Sequence, residues 1–89
     1  MKSVRLIVHG TVQSVFFRKF TKQKADQLGI KGWVRNTDEG TVEIVAEGNS
    51  EKLNEFVDWC RRGPESAVVN KLLVADFTLK NFTSFEIRK

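Results

Sequence analysis

The feature that most constrains this chain is a change of hydrophobic period around one loop. Val4-Arg5-Leu6-Ile7-Val8 alternates, with Val4, Leu6 and Val8 on one face, as a strand does. After Gly10-Thr11-Val12-Gln13-Ser14-Val15-Phe16 the pattern becomes helical, with Phe17, Phe20, Ala25 and Leu28 along one stripe and Thr21 beside it. A loop between a strand and a helix N-terminus turns backbone N–H groups outward at the positive end of the helix dipole. That is a physical recipe for holding an anion. Arg18 stands where the helix begins, so a planar cation with several donors faces the same spot. A cation there opposes the dipole unless an anion intervenes.

The rest of the chain supplies the partners this strand and helix need. Gly29 follows Leu28 as a C-terminal cap, and residues 30–36 return to extended structure. Asp38-Glu39-Gly40 reads as a turn, and residues 41–47 alternate with Val42, Ile44 and Ala46 on one face, so the pair forms a hairpin. Gly48-Asn49-Ser50 breaks it and caps a second helix, whose Leu53, Phe56, Val57 and Cys60 fall at i, i+3, i+4 and i+7. Gly63-Pro64 stops that helix. Residues 68–79 read as one long strand or two short ones, and residues 84–88 as the last, with Phe85 and Ile87 on one face. The order predicts an α+β, ferredoxin-like β-α-β-β-α-β sandwich. Two helices lie on one face of a mostly antiparallel sheet, with an extra strand near the C-terminus. Such a fold hosts enzymes and RNA binders alike, so it does not decide function.

With 89 residues there is room for one domain over the whole chain. No apolar run approaches the roughly 18 residues of a membrane span. Arg5 falls inside what would be the apolar core of a signal peptide, so no secretory signal is expected. Cys60 is the single cysteine and excludes an internal disulfide, which makes the cytoplasm the expected compartment. The net charge of +4 favours anionic partners without choosing among them.

The chemistry is bounded by what is missing. One histidine and one cysteine give no His/Cys metal spacing, so neither metal nor cofactor is expected. No Gly-x-x-x-x-Gly-Lys-Ser/Thr occurs, which removes the nucleotide P-loop. Six residues before Arg18, near where a cysteine phosphatase would place its thiolate, stands Val12, so a phospho-cysteine route is closed. An enzyme built on this loop must work by positioning and electrostatics. That suffices for phosphoryl transfer to water when the leaving group is a carboxylate, a weak base that needs no general acid. An amide can hold the water in line without titrating, and Asn36, at the end of the second strand, is the candidate.

These residues also carry a resemblance. Val8-His9-Gly10-Thr11-Val12-Gln13-Ser14-Val15-Phe16-Phe17-Arg18 is similar to the first signature of the acylphosphatase family. Gly32-Trp33-Val34-Arg35-Asn36-Thr37-Asp38-Glu39-Gly40-Thr41-Val42, followed by Gly48, resembles the second. Gly63-Pro64-Glu65-Ser66-Ala67-Val68-Val69 resembles the family's loop after its second helix. The resemblance implies metal-free hydrolysis of acyl phosphates to carboxylate and inorganic phosphate. It implies that Arg18 binds the phosphoryl group, that Asn36 orients the water and that Thr37 helps place that amide. Backbone N–H groups from Val12 through Gln13, Ser14 and Val15 to Phe16 would cradle the phosphoryl oxygens, with Gln13 mainly bracing the loop. Ser14 departs from the pattern, which has glycine there. A left-handed serine would cost roughly 1–2 kcal/mol, so weakened phosphate binding in a folded protein is expected.

Other readings compete. An impaired or substrate-shifted relative, such as an accessory handling carbamoyl phosphate, is motivated by Ser14. An RNA-binding module of the same fold suits the pI near 9.5. Lys31-Gly32-Trp33-Val34 superficially resembles the start of such a module's stacking motif, but Arg35, Asn36, Thr37 and Asp38 follow where stacking residues should stand. Nucleic acid is therefore not the expected partner. His9 and Ser14 do not make a base–nucleophile pair, because no orienting carboxylate is identifiable. The expected partner is a small-molecule acyl phosphate, with phosphate or sulfate able to occupy the loop, and the chain is expected to be a monomer.

Overall fold

Seven elements follow one another in the computed structural model, which describes residues 1–13 and 16–89. They are β1 (Lys2–Thr11), α1 (Phe17–Leu28), β2 (Lys31–Asn36), β3 (Val42–Gly48), α2 (Ser50–Arg62), β4 (Val68–Asp76) and β5 (Phe85–Arg88). The expected contributions of Ser14 and Val15 lie outside the described residues. The strands form one sheet in the order β4-β1-β3-β2-β5, antiparallel throughout except for the parallel pair β2/β5. This is the ferredoxin-like β-α-β-β-α-β sandwich with the added C-terminal strand. Leu6, Val8, Val34, Ile44 and Ala46 from the sheet meet Phe17, Ala25, Leu53, Phe56 and Cys60 from the helices in one core. The Val, Leu, Ile and Phe side chains among them each contribute about 1.5–3 kcal/mol.

The two helices begin differently. Asn49 caps α2, its side chain accepting from the Lys52 N–H at 2.8 Å, with Glu51 in the first turn and Arg61 and Arg62 in the last. Every one of those choices suits the dipole. At α1 the capping position is Phe16, whose side chain makes no capping bond, and no acid lies in the first turn. The far end of α1 is conventional, since Gly29 at φ 72° closes it by donating to the carbonyls of Ala25 and Asp26.

Three expectations need correction. Phe20 is not part of the buried stripe of α1. The helix buries Phe17, Thr21 and Ala25 and leaves Phe20 38% exposed. The fourth strand ends at Asp76 rather than residue 79, because residues 77–84 must cross from β4 at one edge of the sheet to β5 at the other. And β3 does not alternate between core and solvent: all of Val42–Gly48 is buried. Its Glu43 and Glu47 lie on the face away from the helices, yet water is excluded from both. Glu47 is covered by the crossing segment, accepting from the backbone N–H groups of Lys80 and Phe82. Glu43 accepts from Arg5 on β1 and Arg35 on β2, its neighbours to either side.

Burial pushes the Glu43 carboxyl up, and the hydrogen bonds and charges of the two guanidinium groups more than offset that, so its pKa lies below the ordinary value. A carboxylate whose folded pKa is depressed stabilises the fold above its unfolded pKa and loses that contribution as the pH falls through the folded one. Both arginines are about two-fifths exposed, so solvent screening limits the effect to about 1 kcal/mol. Urea unfolding should therefore separate wild type from Glu43→Gln near about pH 7, and the two curves should converge near about pH 2.

Candidate functional site

The first turn of α1 opens onto a cleft of about 300 Å³. Val12 and Phe16 line it from the loop, Phe17, Arg18 and Lys19 from the helix, Asn36 from the end of β2 and Ile87 from β5. The loop leaves β1 through a bulge between His9 and Gly10, where the pairing with β4 slips by one residue. Gly10 sits there at φ 138°, and a Cβ on it would lie 2.0 Å from the Val68 carbonyl oxygen. Only glycine lets the two backbones approach so closely.

Gln13 fixes the loop to the β2–β3 turn. Its side-chain amide donates to the carbonyls of Thr37 at 2.9 Å and Thr41 at 2.8 Å. Thr37 in turn spends its hydroxyl on Thr41, 2.6 Å from that residue's hydroxyl, so among the described residues its side chain makes no bond to the Asn36 amide. The Thr37 N–H donates to the Thr41 carbonyl at 2.9 Å and closes the turn. The residue before that turn, Asn36, is thus held at a defined point relative to the loop.

Two groups in the cleft are electrostatically incomplete. The N–H groups of the first turn of α1 have no intrahelical acceptor by geometry, no side chain among the described residues caps them, and Arg18 and Lys19 add positive charge. Opposite, the Oδ1 of Asn36 is buried and has no hydrogen-bond partner among the described residues. Leaving such an oxygen unpaired costs about 1–3 kcal/mol. The cleft therefore presents unpaired donors and cations on one side and an unpaired acceptor on the other. Arg18 is steadied from behind, its Nη1 donating to the Arg88 carbonyl at 3.0 Å, and one turn on Lys22 donates to the Phe85 carbonyl at 2.9 Å. Phe16, at φ 59°, is a left-handed aromatic residue at the rim of this arrangement, a conformation that costs roughly 1–2 kcal/mol.

Residues 4–87 match the family model described as acylphosphatase. The chain belongs to the acylphosphatase family. An acylphosphatase of Methylococcus capsulatus is 44% identical over 88 residues, covering 98% of this chain and 96% of that one. One from Marinobacter nauticus is 47% identical over 81 residues, covering 90% and 88%. The crystal structure of acylphosphatase from Bacillus subtilis superimposes with a TM-score of 0.96 at 38% identity, over all of both chains. As an acylphosphatase, the chain is a hydrolase of acyl phosphates.

Of the residues singled out for acylphosphatase chemistry, the structure brings Arg18, Asn36, Val12 and Phe16 to one cleft, with Gln13 and Thr37 bonded to each other behind it. Lys19 and Ile87 also line the cleft and were not foreseen. The signal for Ile87 existed, since Phe85 and Ile87 alternate onto the helix side. What the pattern lacked was the partner of β5: Ile87 stands opposite Val34, two residues before Asn36 on the same face of β2.

Other candidates lie elsewhere. Cys60 is fully buried, and burial pushes its thiol up, so it stays a neutral core residue. The Trp33 ring is overlaid by the Arg88 guanidinium, 4.8 Å from its centre, which occupies the face a base would need. Trp59 packs against Phe17 in a tilted pair, with ring centres 6.1 Å apart and planes at 50°. Among the described residues no group of three or more His, Cys, Asp and Glu side chains gathers to hold a metal ion. No helix of the described residues is long and apolar enough to cross a membrane.

Proposed function

We propose that this cleft hydrolyses acyl phosphates without a metal, by holding the phosphoryl group at the start of α1 and delivering a water from Asn36. The observation that carries this reading is the pairing, across one small cleft, of a cationic helix N-terminus with a buried amide oxygen, neither of which has a side-chain partner among the described residues. The phosphoryl oxygens take the unpaired N–H groups and the Arg18 guanidinium, with Val12, Gln13, Ser14, Val15 and Phe16 forming the cradle. Oδ1 of Asn36 accepts a hydrogen bond from the attacking water and turns the water's lone pair toward phosphorus. Thr37 acts at one remove, through the turn it closes.

In the step itself the water oxygen bonds to phosphorus as the bond from phosphorus to the acyl oxygen breaks. The carboxylate leaves with that electron pair, and the water's proton passes to the phosphate product and solvent. The loose transition state gathers charge on the equatorial oxygens, and fixed donors stabilise it without reorganising. No side chain has to gain or lose a proton, so the absence of a histidine or a poised carboxylate in the cleft is no obstacle to the reaction.

The test is turnover of acetyl phosphate in excess EDTA. Activity should be unchanged by the chelator and should fall by about 10²-fold in Asn36→Ala, with the urea midpoint held. Loss of activity in EDTA, or full activity in Asn36→Ala, would sink the reading.

A further inference from the structure

Glu43 and Glu47 are both buried on β3, but they hold different things. Glu43 takes the side chains of Arg5 and Arg35, which can bend to meet it. Glu47 takes main chain. Its Oε2 accepts from the Lys80 N–H at 2.5 Å and its Oε1 from the Phe82 N–H at 3.0 Å. Asn81, between them, is left-handed at φ 58°, and a left-handed residue turns neighbouring N–H groups toward one anion. Glu47 itself has no solvent exposure. A carboxylate taken wholly out of water is a costly way to fill a strand position, and an apolar side chain would stabilise the sheet as well or better. What the carboxylate adds is position: two charge-assisted bonds fix where the backbone of residues 80–82 lies over the sheet.

That segment leads directly into β5. The Ser84 carbonyl accepts from the Gly32 N–H at 3.0 Å, and β5 then runs beside β2 until Arg88 stands opposite Arg35, the residue before Asn36. The Arg88 carbonyl accepts from Arg18, and one turn along α1 Lys22 reaches the Phe85 carbonyl. The end of β5 thus touches the guanidinium on α1 and neighbours the amide at the end of β2. A shift of β5 along β2 moves the group that takes the phosphoryl oxygens relative to the group that holds the water.

We infer that Glu47 is a positioning residue for the hydrolysis: by gripping residues 80–82 it seats β5, and through the Arg88 carbonyl it aims Arg18 at the phosphoryl group. This rests on the role given to Arg18 in the cleft above. The far end of the crossing segment is tied separately, the Phe77 N–H donating to the Ser3 carbonyl at 3.0 Å. Loss of Glu47 therefore frees the middle of the span, next to β5, and leaves its start in place.

The test is a double-mutant cycle read in kcat/KM for acetyl phosphate, with circular dichroism and the urea midpoint showing that each variant is folded at the assay temperature. Glu47→Gln keeps the shape, but its NH2 group faces one of the two N–H donors. It should lower kcat/KM about tenfold and weaken inhibition by inorganic phosphate by a similar factor. Asn81→Ala, at an exposed position, leaves the carboxylate in place and strains the left-handed residue, so it should lower kcat/KM about threefold. Asn81→Gly, which accepts that backbone, should match wild type. In an Arg18→Ala background Glu47→Gln should have no further effect, because the side chain it aims is gone. A merely structural Glu47 would lower the urea midpoint and leave turnover per folded molecule unchanged, and that result would overturn the inference. So would an equal loss with and without Arg18. Full activity of Arg18→Ala alone would overturn instead the role of Arg18 on which the inference rests.

Discussion

Replacing Arg18 with alanine is expected to lower kcat/KM for acetyl phosphate by about 10³-fold or more while the protein remains folded. The guanidinium is the one delocalised, forked cation lining the cleft, and its charge is worth most where phosphoryl charge grows in the transition state. Its structural contribution is smaller. The bond it donates to the Arg88 carbonyl is exposed, and a bond of that kind contributes about 0.5–1.5 kcal/mol. Far-UV circular dichroism should therefore be unchanged and the urea midpoint only slightly lowered. Arg18→Lys keeps the charge but loses the fork and the simultaneous reach to Arg88 and substrate, so it should recover only part of the activity. A variant with normal turnover would remove Arg18 from the mechanism.

Gly10→Ala is expected to destabilise the fold by about 3 kcal/mol or more. The added Cβ would stand 2.0 Å from the Val68 carbonyl oxygen and 2.9 Å from the Asn70 nitrogen. Both are backbone atoms of β4, so relief requires the strands to part. Its φ of 138° adds strain of about 1–3 kcal/mol for any residue with a side chain. For a domain of this size each kcal/mol lowers the melting temperature by about 4–8 °C, so a drop of roughly 15 °C or more should appear in thermal unfolding. Phosphate affinity of the fraction that remains folded should fall too, because the same bulge aims the loop that follows. A melting temperature unchanged by the substitution would mean that β1 and β4 are not packed as described.

The residues that were legible in the sequence are those whose environment is set by their near neighbours. The bounds of α1 followed from a stripe and a glycine, and the cap of α2 from Gly48-Asn49-Ser50 after the hairpin. Arg18 and Asn36, which line one cleft, stood out because their chemistry was unusual for their place: a cation at a positive helix end, and an amide where only positioning chemistry was left. Phe20 failed for the opposite reason. It has helical spacing and an apolar ring, but whether a position so near the end of a stripe is covered depends on where α2 lies. Glu43 and Glu47 failed more completely. Polar residues on alternate positions of a strand read as a solvent face, and nothing local says that Arg5, 38 residues away, or the backbone of residues 80–82 will close over them. Ile87 was placed on the right face and still missed as a lining residue, because parallel pairing with β2 leaves no mark on either strand.

Because β5 pairs in parallel with β2, no turn delivers it to its place. A hairpin such as β2–β3 closes a loop of a few residues, whereas Arg88 meets Arg18 across a separation of 70 residues. Loop-closure entropy makes such contacts slow to form and rewards them only when the surfaces they join already exist. The back wall of the cleft and the acceptor that steadies Arg18 therefore arrive with contacts as distant along the chain as those that join β1 to the end of β4. Recovery of turnover during refolding should trail the recovery of helical signal, since the helices can form around β1 and β3 before the last strand docks. In this fold the catalytic assay doubles as a clock for topological completion.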